Sequence, residues 1–376
     1  MKCVSKSLGL ALLLVAAQYA QAFHEGGVAS CSMCHIMHRG VDGFDIQPSL
    51  ENNFLLLSNS PTEMCLSCHA MDYGSVWATN PLQPAPERGG GNFIFGSAAN
   101  INDAPNGNLF PLTGSHGIHN CVAASQNVIQ DPVHSFGPGG NYPSASLGCT
   151  SCHDPHGNTN FRMLRGVGEV PAGQFNFIYP APLAEGIPLN GPAESRTLHT
   201  AYISGWSNWC ANCHGFYHDN SLTGFEHPVD GRLNGKIRRS YDLYDGSGNP
   251  QGGNPATAYL PDVPYEDPSM TTTTTNGPNP ASRIACISCH RAHGSSAVDL
   301  GRWDFRVNNM RLDGVVSGSY AIPSPYVDVT IERQLCVKCH EQDTRTHGFN
   351  QACISCHREH LIQKPGPAER RQLQTR

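Results

Sequence analysis

The sequence has little of the material that builds a conventional hydrophobic core. Only 39% of its 376 residues are hydrophobic and 8% are aromatic, against 39 glycines and 28 prolines. Charged residues make up 14%, and acidic ones prevail, giving a formal net charge of −6. This balance provides no basic surface, so we exclude nucleic acid as a partner. Something other than apolar side chains must fill the interior.

Long apolar runs are missing after the first 22 residues. The chain opens with Lys2 and Lys6, an apolar run over 8–17 and small residues at 20 and 22, a pattern typical of a secretory signal peptide. No later segment approaches the roughly 20 apolar residues that span a bilayer. We therefore expect a signal peptide over 1–22, export to the cell surface or extracellular space, and no transmembrane segment.

Sustained helical or strand periodicity is also missing. Breaks rich in glycine, proline or threonine recur at 89–92, 137–141, 245–255 and 271–280. We predict a mostly irregular chain with short α-helices and minimal β-structure. The domain would cover 23–364, followed by a flexible tail over 365–376.

What the sequence does contain is one arrangement of cysteine and histidine, repeated. Fourteen of the 16 cysteines form seven Cys-x-x-Cys-His motifs, which begin at residues 31, 65, 149, 210, 286, 336 and 353. This is the attachment signature of a c-type haem. Zinc sites do not require the adjacent histidine, and a disulfide framework requires none. We predict seven covalently bound haem c groups.

Each motif assigns three residues to one haem. Its cysteines form thioethers to the two vinyl groups, and its histidine is the proximal iron ligand. The attaching cysteines are Cys31, Cys34, Cys65, Cys68, Cys149, Cys152, Cys210, Cys213, Cys286, Cys289, Cys336, Cys339, Cys353 and Cys356. The proximal ligands are His35, His69, His153, His214, His290, His340 and His357. Cys121 lies in no motif, and we predict a buried or free thiol without an assigned function.

The second axial position of each iron decides between an electron carrier and an enzyme. Nineteen histidines leave twelve after the seven proximal ones, enough for two histidines on every iron, which favours low potentials and no open site. Methionine is the less favoured alternative, and the five remaining histidines are expected in solvated loops. The distal candidates are His24, His38, His119, His156, His227, His293 and His347.

Four motifs continue as Cys-His-x-x-His, and the second histidines are His38, His156, His293 and His360. A histidine this close to an anchored haem can hardly reach that haem's opposite face. It should instead ligate a neighbouring iron and hold two haems close together. For the seventh haem we predict His347, six residues before Cys353, with His360 and His218 as rivals.

Several segments together resemble the filament-forming multihaem c-type cytochromes. They are FHEGGVASCSMCHIMH, CTSCHDPHG, WCANCHGFYH with HPVD, CISCHRAHGS and RQLCVKCH, in order from residue 23 to about 340. The resemblance implies a head-to-tail homopolymer whose stacked bis-histidine haems carry electrons to extracellular acceptors or other cytochromes. It also implies that the histidine matching His38 ligates a haem of the next subunit. The family pattern has six haems, so the motif at 353 is an addition.

Two functions from different classes stay open at this point. The first is a conductive filament subunit. The second is a monomeric electron shuttle or metal-oxide reductase at the cell surface or in the periplasm. The chain has no Cys-x-x-Cys-Lys motif, whose haem would keep an open position for nitrite. We therefore predict an electron-transfer protein, not an enzyme acting at an open haem.

Overall fold

The structure is a computed structural model, and six attachment motifs lie among the residues that it describes. The described residues are 30–35, 40–41, 44–45, 56–70, 76–77, 89–97, 102–103, 110–111, 117–171, 175–188, 194–218, 229–243, 252–295, 297–302 and 335–340. The signal peptide, the seventh motif and the C-terminal tail lie outside them.

The described helices are short. The α-helices are α1 (Pro61–His69), α2 (Ile94–Ser97), α3 (Cys149–Cys152), α4 (Trp206–His214), α5 (Gly235–Asp242) and α6 (Leu335–Cys339). Single 3-10 turns cover Cys31–Met33, Ala124–Gln126, Ser144–Ser146, Phe161–Met163, Gly215–His218, Cys286–Ser288 and Val298–Leu300. Every described attachment motif therefore begins on, or lies within, a short helical segment.

Strands contribute little to the described part of the chain. They form four antiparallel two-stranded sheets. The pairs are β1 (Gly40–Val41) with β2 (Phe44–Asp45), β3 (Asn102–Asp103) with β4 (Phe110–Pro111), β5 (Gly168–Val170) with β6 (Phe175–Phe177), and β7 (Leu183–Glu185) with β8 (Ala201–Ser204).

Local sequence explains where the longer helices begin. The Ser60 side chain caps α1 by accepting from the backbone N–H of Glu63 at 3.2 Å, and Pro61 occupies the first turn, where its missing N–H costs nothing. Asn234 caps α5 in the same way. Before α4 the chain turns at Gly205, whose φ of +87° is a conformation that glycine adopts without strain.

The hydrophobic core is divided into four clusters that lie beside the attachment motifs. Three of them pack against motif cysteines: one against Cys289 and Cys339, one against Cys152 and one against Cys213. The remaining cluster contains Leu66, which lies inside the second motif, and the non-motif thiol Cys121. The core is thus distributed along the motifs, as expected for a protein organised around its prosthetic groups.

The predicted fold class is confirmed: the described chain is mostly irregular, with short helices and minimal sheet. Cys121 is buried, as predicted. None of the described helices has the length and apolar character needed to cross a bilayer.

Candidate haem sites

Each attachment motif is closed by one helical turn. The backbone N–H of His35 donates to the carbonyl of Cys31 at 2.9 Å, and His153 donates to Cys149 at 3.0 Å. The same bond is made at the motifs that begin at 286 and 336, at 3.0 and 2.8 Å. Residues four apart lie on one face of a helical turn, so the first cysteine and the proximal histidine can address the same ring.

The imidazoles are held by one of their two nitrogens. Because a carbonyl can only accept, the Nδ1 atom of each of these rings carries the proton and Nε2 is left for a metal. Such backbone contacts fix the orientation of metal-binding histidines. The distances from Nδ1 to the backbone carbonyl oxygen are 2.5 Å for His119 to Ala292, 2.8 Å for His153 to Arg162, 2.7 Å for His214 to Pro138 and 2.8 Å for His290 to Asp299.

Three proximal histidines face three of the predicted distal candidates. The ring centroids of His35 and His156 are 6.1 Å apart. When two imidazoles bind the same metal ion, each through a ring nitrogen at about 2 Å, their ring centroids are about 6 Å apart. The two other pairs are His119 with His214 at 6.1 Å and His153 with His293 at 6.2 Å.

The electrostatics of two of these pairs, His119 with His214 and His153 with His293, also suit a metal. Burial lowers the pKa of His214 to about 4 and that of His293 to about 3. Burial likewise lowers the pKa values of His119 and His153. The four rings are therefore neutral at pH 7, which is the form of imidazole that binds iron.

The other four distal candidates lie outside the described residues, as does the rival His360. These candidates are His24, His38, His227 and His347. The rival His218 is described, and its ring centroid lies 5.9 Å from that of Tyr179.

One spare histidine departs from the expectation of a solvated loop. His199 is fully buried and its ring stacks on Tyr259 with centroids 4.0 Å apart. Its Nδ1 and Nε2 atoms lie 2.9 and 2.8 Å from the carbonyls of Thr200 and Thr274. With both nitrogens engaged by the backbone, this ring is a structural cross-link and has no atom left for iron.

Neighbouring motifs are joined through their first cysteines. The thiol of Cys65 lies beside that of Cys149, and the thiol of Cys210 lies beside that of Cys286. These thiols stand for the thioether sulphurs of the haem-loaded protein. The second and third motifs, and the fourth and fifth, are therefore in direct contact.

A repeated hydroxyl supports each contact. Thr62, three residues before Cys65, accepts from the N–H of Cys149 at 3.4 Å. Ser207, three residues before Cys210, accepts from the N–H of Cys286 at 3.2 Å. The chain thus contains two copies of one two-motif arrangement, although the first-cysteine spacings of 84 and 76 residues conceal it.

Two glycine-rich breaks that look like ordinary loops in the sequence lie against the motifs. A Cβ on Gly91, whose φ is +80°, would lie 1.9 Å from the carbonyl oxygen of Gly294, next to His293. A Cβ on Gly140 would lie 1.6 Å from the carbonyl oxygen of Cys213. These breaks are close backbone approaches to haem motifs, which composition alone does not reveal.

Replacing Gly140 with alanine is expected to destabilise the protein by more than about 2 kcal/mol, because the added methyl group meets backbone that cannot move aside. Thermal unfolding would measure the loss, and intact mass would measure haem loading. Gly215→Ala is the matched control, since no atom lies within 4 Å of its added Cβ and its φ of −55° suits alanine. Equal melting temperatures for the two variants would contradict the expectation.

The sixth motif borders an open space. A cavity of about 260 Å³ lies between α5 and the motif, lined by Asn234, Lys236, Ile237, Cys339 and His340. Facing imidazole rings, sulphurs three residues apart and a cavity beside a motif all fit covalently attached haem.

Comparison with known proteins gives the same interpretation. Residues 142–172 match the family model for a doubled CXXCH motif. The c-type cytochrome OmcS of Geobacter sulfurreducens is 31% identical over 375 aligned positions, covering 80% of this chain and 84% of OmcS.

Solved filament structures are also similar. A cryo-EM structure of the OmcS nanowires from Geobacter sulfurreducens has a TM-score of 0.68 and 27% identity, covering 85% of this chain and 100% of that one. A structure of the outer membrane cytochrome S filament from the same organism has a TM-score of 0.63 and 27% identity, covering 76% and 86%. The chain belongs to the OmcS-like family of multihaem c-type cytochromes, which carry covalently bound haem c.

Proposed function

We propose that the chain is a heptahaem, bis-histidine cytochrome that polymerises head to tail into an extracellular electron-conducting filament. The three facing histidine pairs carry the proposal. Haem iron held between two imidazoles exchanges single electrons and has no open position for a substrate. The protein supplies the imidazoles and fixes the orientation of His119, His153 and His214 through Nδ1.

Two of the facing pairs involve the second histidine of a Cys-His-x-x-His motif. His156 belongs to the third motif and faces His35 of the first, and His293 of the fifth motif faces His153 of the third. Both described second histidines thus face an earlier motif, which supports the inference that they join two haems.

The remaining proximal histidines and the remaining distal candidates are equal in number. Four proximal histidines stay without an assigned distal partner: His69, His290, His340 and His357. Four distal candidates also remain: His24, His38, His227 and His347. We assign His347 to the seventh haem, so that all seven irons receive two histidines.

The filament itself is supported by the similarity to solved nanowire structures. The motif of His38 is the first of the seven in the sequence. The direction of the described pairs therefore favours a haem of the adjacent subunit. The proposal includes export through a signal peptide over 1–22, a haem domain over 23–364 and a flexible tail over 365–376.

The purified protein is expected to carry seven covalent haems, all low-spin and six-coordinate. Intact mass tests the number, and optical and paramagnetic resonance spectra test the spin state. A mass that lacks a haem, or a high-spin signal in the native filament, would overturn the corresponding site. Electron microscopy of the native material separates a filament subunit from a monomeric shuttle.

A further inference from the structure

The third and fifth attachment motifs lie in two copies of one 17-residue unit, residues 149–165 and 286–302. Both units read Cys-x-Ser-Cys-His-x-x-His-Gly and end in arginine. In each, the motif serine accepts from the N–H of the residue before the first cysteine. The two bonds are Gly148 to Ser151 at 3.0 Å and Ala285 to Ser288 at 3.2 Å.

The return segment of each unit is also the same. Two consecutive residues have left-handed backbone in both, Arg162 and Met163 with φ of 49° and 56°, and Asp299 and Leu300 with φ of 56° each. In both units the carbonyl of the first left-handed residue accepts the Nδ1–H of the proximal histidine. Non-glycine residues seldom adopt this backbone, so its repetition marks a device that the packing maintains.

The final arginine of each unit fastens the motif at two points. The backbone N–H of Arg165 donates to the carbonyl of Cys152 at 2.8 Å, and its Nε donates to the carbonyl of Thr150 at 2.6 Å. Arg302 repeats both bonds, to the carbonyl of Cys289 at 2.7 Å and to that of Ile287 at 2.5 Å.

The charge of these arginines is not balanced by a carboxylate within the part of the chain that the structure describes. Arg302 is 4% exposed and its guanidinium lies 3.3 to 3.4 Å from two further carbonyls and the hydroxyl of Tyr202. In both units the Nε atom reaches the carbonyl of the residue after the first cysteine, so each guanidinium lies at the attachment turn.

We infer that Arg165 and Arg302 are positioning residues that fix the attachment turns of the third and fifth motifs and raise the reduction potentials of their haems. The inference rests on haem attachment at both motifs. Reduction adds one negative charge, and a fixed positive charge in a poorly solvated site stabilises the reduced form. The backbone contact of each arginine sets where that charge lies.

The first motif provides an internal contrast. Leu57 donates its backbone N–H to the carbonyl of Cys34 at 2.9 Å, in the place that the two arginines take in their units. Its side chain carries no charge and is 46% exposed. The first haem should therefore lack this contribution and titrate below the third and fifth for this reason.

Two kinds of substitution separate charge from hydrogen bonding. Arg165→Gln and Arg302→Gln keep an N–H donor but remove the positive charge. Arg165→Lys and Arg302→Lys keep the positive charge but lose the planar guanidinium group with its several N–H donors. Arg196→Leu is the control for loss of one cation, since its guanidinium donates to the carbonyl of Thr257, a residue that lies in none of the attachment motifs. Intact mass must first establish full haem loading in each variant.

The readout is an equilibrium redox titration followed by optical and paramagnetic resonance spectra. Each glutamine variant is expected to move one haem-equivalent to lower potential, and the double variant two. The lysine variants and Arg196→Leu should titrate like the parent protein. Unchanged curves for fully loaded glutamine variants would overturn the inference, as would an equal downward shift in the lysine variants. A glutamine variant could lose a haem, and its lysine counterpart then decides. An unchanged reduction potential in the lysine variant supports the role of the positive charge, and a lowered potential refutes it. Filament formation and the haem count report separately on the proposed function.

Discussion

Replacing His38 with alanine is expected to give an exported, haem-loaded protein that no longer forms filaments. The two described second histidines, His156 and His293, each face an earlier motif, and the motif of His38 is the first of the seven in the sequence. If His38 completes the coordination of an iron in the adjacent subunit, assembly and ligation are one event. The contact is heterologous and repeats without closing, which generates a filament. Without the imidazole, the metal-ligand bond at every junction is lost.

Electron microscopy and spectroscopy together test this expectation. The variant should be monomeric, with one five-coordinate or water-ligated haem per chain. His156→Ala is the matched control, since it also removes one second histidine but the facing ring, that of His35, belongs to the same chain. That control should open one iron and still polymerise. Normal filaments from His38→Ala, with every haem bound by two histidines, would rule out the intersubunit role.

Sequence reasoning is strongest where the chemistry is local. A Cys-x-x-Cys-His motif needs only one helical turn to place its ligands, so seven attachment sites can be predicted without a fold. The argument that a second histidine cannot reach its own haem is also local, and it predicts that His156 and His293 serve other haems. In the structure their rings face the proximal histidines of other motifs. The low apolar content likewise indicated the irregular fold.

The features of the candidate site that local sequence does not predict depend on contacts between distant parts of the chain. His119 is oriented by the carbonyl of Ala292, 173 residues away, and no spacing predicts that it faces His214. The close approach of Gly140 to Cys213 is equally remote in sequence. His199 was expected among solvated spares, and only the structure reveals that both of its nitrogens are engaged.

The two arginines were missed for a different reason. Each lies 12 residues after a proximal histidine, and the spacing is visible once the units 149–165 and 286–302 are aligned. The other motifs do not share it, so the signal is confined to two copies. Searching for a repeat of whole units, not of motif spacings, would have found it.

Replacing His293 with alanine is expected to turn one electron-transfer haem into a ligand-binding haem. The ring of His293 lies between that of Phe93, at a centroid distance of 4.9 Å, and that of His153, at 6.2 Å. Gly90 stands against its other edge, where an added Cβ would be 3.1 Å from Nδ1. Removing the imidazole would therefore leave a small space beside the iron that we propose His153 holds, and an open position is what separates ligand binding from electron transfer.

The expected signature is one high-spin or water-ligated haem per chain that binds one carbon monoxide when reduced. Covalent haem should remain at seven, because both thioethers and the proximal histidine of the third motif are intact. The lost packing should lower stability by about 1–3 kcal/mol. His199→Ala is the control: it removes another enclosed histidine, whose nitrogens both contact carbonyls, so it should lower stability without opening an iron. Carbon monoxide binding to neither variant would show that His293 is not an axial ligand, and equal binding to both would show that the open iron arises from general loosening of the fold.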